Sequence, residues 1–477
     1  MIVKRFFEPL LAQASYLIGC GVSHDAIVID PHRDADVYLR AAAEDNLKIS
    51  YVTESHIHAD YLSGTRELAA RTKATMLLSD EGDAGWKYAF ADEGRLIRNG
   101  DRIKVGNVVI DVVHTPGHTP EHVTFLVTDG AVANEPIAAL TGDFIFVGDV
   151  GRPDLLERAA NITGTMEKSA RVLYRSLQSF NRHEPWLQIW PGHGAGSACG
   201  KGISAVPYST LGYERRFNWA FKTRDEDDFV SKVLEGQPDP PKYFVMMKRL
   251  NKEGPRVLGC LCTPRRLDDE ALGSVVAGGA LVIDVRSASD YAAGYVPGTL
   301  NIPLNNSFVT WAGWFVPYTQ DSYLLLGEGA ESRLDEAVRA LALIGLDRIA
   351  GYFSSSALRR VPASDLARIP QLSPRDAAQR IDAAHLTILD VRSDIEWKEE
   401  HLPGALHIPL GQLEERAAEL PKQQLLVTQC QSGNRSSIAA SVLRRAGFND
   451  VSNMAGGLSA WETEGLPVER NSSETAK

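Results

Sequence analysis

Across the first 250 residues, short apolar runs alternate with longer stretches in which apolar residues recur at helical spacing. Residues 15–19, 26–29, 49–53, 108–113, 123–127, 138–140 and 187–189 read as strands, since each is a compact apolar run bounded by turn-forming residues. Residues 64–71 and 165–177 read as helices. Asp239-Pro240-Pro241 and Asn251-Lys252-Glu253-Gly254-Pro255 read as loops leading out of this first domain, 1–250.

The second half repeats itself. Ile283-Asp284-Val285-Arg286-Ser287 recurs 106 residues later as Leu389-Asp390-Val391-Arg392-Ser393. Val296-Pro297-Gly298-Thr299-Leu300-Asn301-Ile302-Pro303 recurs at the same offset as Leu402-Pro403-Gly404-Ala405-Leu406-His407-Ile408-Pro409. Each copy is a strand, a polar helical segment, a Pro-Gly turn, a second strand, and later a strand leading into a helix. That order predicts parallel α/β sheets. The copies occupy 257–366 and 371–470, and residues 471–477 read as a frayed polar tail.

Composition agrees with this division. A chain of 477 residues at about 100 to 200 per domain holds roughly three domains, and 44% hydrophobic with 23% charged residues is ordinary globular material. The net charge is −11, with no dense basic run, so a nucleic-acid partner is not expected. Five cysteines suit a reduced cytoplasmic protein better than a disulfide framework. No apolar run reaches the length of a spanning helix, so no membrane partner is expected either. Leu17-Ile18-Gly19-Cys20 superficially resembles a lipoprotein cleavage box, but Glu8, Pro9 and Gln13 interrupt the apolar region it requires. Two strands joined by a turn near residues 21–25 are expected there instead.

The chemistry concentrates in histidines beyond strand ends. His56-Ile57-His58-Ala59-Asp60 follows one strand, His114-Thr115-Pro116-Gly117-His118 another, Thr141-Gly142-Asp143 a third and Trp190-Pro191-Gly192-His193 a fourth. Imidazoles and carboxylates gathered on a rigid frame are ligands for a borderline metal.

These four segments, in this order, resemble the signature of the metallo-β-lactamase superfamily, over roughly residues 1–245. The resemblance implies an αββα sandwich with the metal at one edge of its sheets. Tyr61 stands where the signature's next histidine belongs, which argues against a second metal. Within the superfamily the persulfide dioxygenases are similar in using one iron, and by motif its ligands would be His56, His118 and Asp143. His58, Asp60 and His193 would line the site and orient ligands or substrate. Two His and one carboxylate leave open positions for substrate and dioxygen, although the ligand types alone also permit zinc. Gly151-Arg152-Pro153-Asp154 resembles a Gly-Arg-Thr-Asp segment of that family, so Arg152 is a candidate to grip a substrate carboxylate. An ion pair with Asp149 or Asp154 is its competing reading. Cys199 is a candidate to accept sulfur near the metal, against a plain buried thiol, and His114 and His122 read as scaffold.

In the last repeat, residues 425–429 run into Cys430-Gln431-Ser432-Gly433-Asn434-Arg435-Ser436-Ser437 and then a helical pattern. A cysteine on such a loop faces backbone N–H groups and a positive helix end, surroundings that favour a thiolate nucleophile. Arg435 adds positive charge. With the Asp-Val-Arg-Ser, Pro-Gly-Ala-Leu-His-Ile-Pro and Ala455-Gly456-Gly457-Leu458-Ser459-Ala460-Trp461 segments, this region resembles rhodanese, a sulfurtransferase family. A cysteine phosphatase has similar physics but a longer Cys-to-Arg loop. In the middle copy, alignment of Gly345 with Gly447 sets Glu328 opposite Cys430, which implies a catalytically silent rhodanese-like domain.

The expected protein is thus an α/β multidomain chain, an αββα sandwich followed by two rhodanese-like domains. The resemblance implies iron-dependent oxidation of a thiol persulfide by dioxygen to sulfite, then transfer of sulfur through Cys430 to sulfite to give thiosulfate. One Fe(II) per chain is expected. The carrier is open among glutathione, coenzyme A, bacillithiol or similar thiols, and a homo-oligomer is compatible with the sequence. The alternative is a zinc-dependent thioester hydrolase of the glyoxalase II type fused to a sulfurtransferase.

Overall fold

A computed structural model describes residues 1–158, 164–237, 239–382 and 386–470. The chain divides into two compact units, residues 1–261 together with 339–345, and residues 262–338 together with those from 346 onward.

The first unit is built on two six-stranded sheets. One contains β1 (Ile2–Glu8), β2 (Gln13–Gly19), β3 (Asp25–Ile29), β4 (Lys48–Thr53), β5 (Thr75–Ser79) and β6 (Arg95–Ile97), in chain order. The other contains β7 (Arg102–Val105), β8 (Val108–His114), β9 (Val123–Asp129), β10 (Ala138–Gly142), β11 (Gln188–Pro191) and β12 (Ser209–Thr210), also in chain order. All seven expected strands are present. Four of the five that the pattern did not predict, β1, β6, β7 and β12, are sheet edges, either two or three residues long or interrupted by charged residues such as Lys4, Arg5, Arg102 and Lys104.

Alternation along single strands builds three layers of core. Tyr16 and Ile18 of β2 join Ile27, Ile29, Val108, Ile110, Phe125 and Val127 in the layer between the sheets. Leu17, Ala26 and Val28 face the opposite way, onto Tyr38 and Leu68. Leu126 and Ala139 of the second sheet face Leu173, Leu177 and Phe229. Period-two alternation therefore gives helix, sheet, sheet, helix. The helices Thr65–Thr72 and Met166–Phe180 match the expected ones. Asn251, Lys252 and Glu253, expected in a loop, instead form the last turn of the Tyr243–Glu253 helix, which buries Tyr243, Phe244, Met247 and Asn251.

The second unit holds two parallel sheets of matching order. The first runs β14–β13–β15–β16, from β13 (Leu281–Asp284), β14 (Leu300–Asn301), β15 (Ser322–Leu326) and β16 (Ile349–Ser354). The second runs β17–β22–β21–β18–β20, from β17 (Gln371–Leu372), β18 (Leu386–Asp390), β20 (Leu406–His407), β21 (Leu425–Gln429) and β22 (Val451–Met454). β19 (Glu400–His401) pairs with β23 (Glu469–Arg470) apart from both. The backbone of Asn301 donates to Ser441 Oγ at 3.2 Å and Arg444 Nε to the Tyr295 hydroxyl at 2.9 Å, joining the two copies. His385 and the tail 471–477 lie outside the described residues.

The repeated Asp-Val-Arg segment is a scaffold lock. Arg286 chelates Asp284 and donates to the Gly294 carbonyl at 3.0 Å. Arg392 likewise chelates Asp390 and donates to the Glu400 carbonyl at 2.6 Å. The register also corrects one expectation. Asp284 pairs with Leu325 as Asp390 pairs with Gln429, so the residue opposite Cys430 is the buried Leu326 and not Glu328. Glu328 lies two residues further on, ion-paired with Arg359. The two-residue slip arises after the strand, so an alignment anchored on Gly345 and Gly447 carries it back into the loop.

Candidate metal centre and sulfur-carrying loop

Four strands end at one edge of the sandwich, and the segment after each carries one part of the cluster. His56 follows β4, His118 follows β8, Asp143 follows β10 and His193 follows β11. Gly117 fixes the second segment. Its φ is +139°, and a Cβ there would lie 2.4 Å from Leu173 Cα, so only glycine brings the loop this close to the helix.

His56, His118 and Asp143 are all buried, and their ligand atoms lie within 4.8 Å of one another. Asp143 Oδ2 is 4.0 Å from His56 Nε2 and 3.6 Å from His118 Nε2. The other ring nitrogens are occupied: His56 Nδ1 pairs with Ser55 Oγ at 3.0 Å and His118 Nδ1 with the Arg152 carbonyl at 2.9 Å. Each Nε2 is thereby aimed inward, the usual second contact of a metal-ligating imidazole. Burial, with the neighbouring imidazoles, holds the His56 pKa well below its ordinary value. Burial also lowers that of His118. Both rings are therefore in the neutral, ligating form.

Both oxygens of Asp143 and both of Asp60 are buried without a hydrogen-bond partner. Buried carboxylates in this condition are costly unless a cation compensates them, so the residues fit a metal.

The other motif residues divide. His58 turns away, its Nε2 3.1 Å from Asp30 Oδ1. Burial opposes its charge, but the Asp30 hydrogen bond and the charges of Asp30, Glu54 and Asp60 push its pKa up to about 9. Tyr61 donates its hydroxyl to the Asp30 carbonyl at 3.2 Å and packs its ring on His58. Asp60, His193 and Cys199 form a second buried group with ligand atoms within 4.8 Å of one another. His193 Nε2 lies 3.3 Å from Asp60 and 3.4 Å from Asp143. Burial, with Asp60 and Asp143 nearby, pushes the Cys199 thiol pKa well up. His114 and His122 are scaffold: His114 Nε2 meets the Pro120 carbonyl at 2.8 Å, and His122 Nε2 accepts the Asp143 N–H at 3.2 Å.

Of its two readings, Arg152 matches the ion pair with Asp154. It is buried, donates Nε and Nη2 to Asp154 at 2.8 and 2.6 Å, and donates Nη1 to the Ala198 carbonyl at 3.0 Å. Its guanidinium is engaged within the fold, and its carbonyl orients His118. Asn251, which the sequence did not single out, clamps the first motif: its amide donates to the His58 and Tyr61 carbonyls, both at 2.8 Å, and its oxygen accepts the Ser63 N–H at 2.9 Å. No local signal could have found it, because it lies on a helix distant in sequence.

In the last sheet, β21 delivers Cys430 to a loop closed by Gly433, whose φ is +93°. Gly433 donates its N–H to Cys430 Sγ at 3.2 Å, and Ser436 Oγ lies 3.5 Å from the sulfur. The helix Asn434–Arg445 begins at once. Leu458 and Ser459 donate their N–H groups to the carbonyls of Cys430 and Gln431 at 2.8 and 3.0 Å, seating the Gly-Gly segment on the loop. Arg435, in the first turn of the Asn434–Arg445 helix, is paired with Glu396.

Comparison with known proteins defines the class. Residues 9–193 match the metallo-beta-lactamase superfamily and residues 373–464 the rhodanese-like domain. The chain belongs to the metallo-β-lactamase superfamily and carries a rhodanese domain downstream of that fold. Among solved structures it is similar to a metallo-β-lactamase from Staphylococcus aureus, at 41% identity and a TM-score of 0.68, covering 74% of this chain and 99% of that one. It is 31% identical to the mitochondrial persulfide dioxygenase of Mus musculus over 34% of this chain and 59% of that enzyme, less than two thirds of its length. It is 34% identical to a hydroxyacylglutathione hydrolase of Nitrosococcus oceani over 48% of this chain and 88% of the hydrolase.

Proposed function

We propose that the protein is an iron-dependent persulfide dioxygenase joined to a thiosulfate-forming sulfurtransferase. Residues 1–250 would hold the metal, 371–470 would carry sulfur on Cys430, and 257–366 would be a rhodanese-like copy silenced by Leu326. The observation that carries this reading is the ligand set: His56, His118 and Asp143 converge, while His58 is held by Asp30 and Tyr61 points its hydroxyl at a carbonyl. Two imidazoles and one carboxylate on one face suit a single non-haem iron with open positions.

One Fe(II) held by these three residues would supply the redox chemistry. The residues of the chain do the rest. Ser55 and the Arg152 carbonyl keep the imidazoles in the ligating tautomer, and Phe146, edge-on to His193, helps keep the pocket dry. Overall, a thiol persulfide, dioxygen and water become the thiol, sulfite and two protons. The Cys430 thiolate then attacks the terminal sulfur of a second persulfide, releasing the thiol and leaving a cysteine persulfide. Sulfite takes that sulfur as thiosulfate and returns the thiolate. Glutathione, coenzyme A and bacillithiol persulfides are the candidate substrates, in a compartment reduced enough to keep Cys430 free.

A second reading, a zinc-dependent thioester hydrolase joined to a sulfurtransferase, draws on Asp60, His193 and Cys199, which offer a place for a second, thiophilic ion. Metal analysis with oxygen uptake separates the two. One iron per chain and persulfide-dependent uptake are expected; two zincs, thioester hydrolysis and no uptake would overturn the proposal.

A further inference from the structure

In the same unit as the metal centre, and unused by the chemistry above, lies a cleft of about 580 Å³. This is within the ordinary range of small-molecule sites, about 300 to 1,000 Å³. Its walls come from the segment after β5 (Asp83, Trp86), the His118 loop (Pro116, Gly117, Pro120), the start of the Met166–Phe180 helix and the outer face of the Tyr243–Glu253 helix. The loop wall is fixed in place by the close approach of Gly117 to Leu173. The next residue along it is the ligand His118, so an occupant of the cleft is one residue from the metal centre along the chain.

The lining has two characters. Trp86, Pro116, Pro120, Val172 and Val245 give an apolar floor, and Lys168, Lys248, Arg249 and Lys252 bring four cations to it. This gathering runs against a chain of net charge −11. Among the described lining residues the one carboxylate, Asp83, accepts the Gly85 N–H at 2.8 Å. Around the cations, Lys252 donates to the Gly85 carbonyl at 2.7 Å and Arg249 stands 3.9 Å from Glu253, while burial lowers the Lys248 pKa to about 8 against the opposing charge of Glu121. Lys248 lies half-buried with its ammonium 3.7 Å from the Trp86 ring centroid. Two half-buried cations, Lys248 and Lys252, and two exposed ones, Lys168 and Arg249, around an apolar floor favour an organic anion.

We infer that this cleft binds the anionic, non-reacting part of the thiol that carries the persulfide, an organic body bearing several phosphate or carboxylate groups. The inference rests on the function proposed above, and it adds where the carrier is recognised and by what charge. Binding energy from the remote part of the carrier would then hold the reacting sulfur in place.

Titration calorimetry of the metal-loaded full chain with two reduced thiols, coenzyme A and glutathione, tests it without turnover. The comparison is with the exposed charge reversal Lys168→Glu/Arg249→Glu. At least one thiol should bind the unmodified protein, weaken as salt rises, and lose about tenfold or more in affinity in the double variant. Loss for coenzyme A alone assigns a phosphate carrier, and loss for glutathione alone a carboxylate carrier. If neither thiol binds, or both bind the double variant as well as the unmodified protein, the inference is overturned, and the salt dependence in the unmodified protein decides the matter should the variant misfold. Oxygen uptake with cysteine persulfide, which lacks a large carrier, is read in parallel. Absence of uptake alongside charge-dependent thiol binding would sink the proposed function and leave the cleft assignment standing.

Discussion

Arg435 closes on the carboxylate of Glu396, Nη1 to Oε2 at 2.7 Å and Nη2 to Oε1 at 2.6 Å. The guanidinium expected to add positive charge at the cysteine loop is therefore paired with a helix that follows the Asp-Val-Arg lock. Burial opposes the Glu396 charge, but hydrogen bonds from Arg435 and Ser393 hold its pKa at about 2, against 4.5 ordinarily. A depressed carboxyl stabilises the fold fully above about pH 4.5, and the contribution drains as the pH falls towards 2. Glu396→Gln should thus unfold at lower urea than the unmodified protein at pH 7, with the gap narrowing below about pH 4.5 and closing only near pH 2. Urea midpoints across that range check it; a gap independent of pH would remove the pair from the account.

Cys430→Ser should abolish thiosulfate formation while sulfite still accumulates from a thiol persulfide. The sulfur sits on the loop of the last sheet, and the metal ligands lie in the other unit. Product analysis with metal content measured on the same sample is the check. Unchanged thiosulfate yield would defeat the transfer step.

Asn251 satisfies three backbone groups around the first metal motif with one side chain. Asn251→Leu leaves the His58 and Tyr61 carbonyls and the Ser63 N–H buried without it, at about 1 to 3 kcal/mol for each unsatisfied group. The loop bearing His56 then loses its brace. We expect a drop in thermal midpoint together with roughly tenfold weaker metal binding, of the size seen when the support of a ligand is removed. Competition with a chromophoric chelator measures the second; full affinity in a destabilised variant would confine Asn251 to stability.

Arg152→Met should act through folding. It strands Asp154 in a buried place without its guanidinium, a loss of about 3 to 5 kcal/mol, and adding Asp154→Asn should restore part of it. Thermal midpoints of the single and double variants decide. A raised KM with an unchanged midpoint would return Arg152 to the substrate-reading role its motif suggested.

Much of the architecture follows from local pattern. Alternation in β2, β3 and β8 places their apolar residues in the sandwich, and the 106-residue repeat implies two sheets of the same order. The family resemblance carried by the motif order implied His56, His118 and Asp143 as one set, and the fold brings their ligand atoms within 4.8 Å of one another. An edge strand such as β7 was illegible because its solvent-facing positions, Arg102 and Lys104, are polar.

Tertiary structure decided what spacing cannot encode, namely the partner each side chain takes. Asn251 reaches the first motif from a helix near residue 250, and Asp30 claims His58 from a loop before it. Glu396 claims Arg435, and Cys199 joins Asp60 and His193. Backbone register likewise put Leu326, not Glu328, opposite Cys430, because parallel pairing is counted from Asp284 and not from the helix end. The sequence by itself determined which residues carry the chemistry. Their protonation, orientation and pairing came from contacts between distant segments, where burial makes every polar partner count.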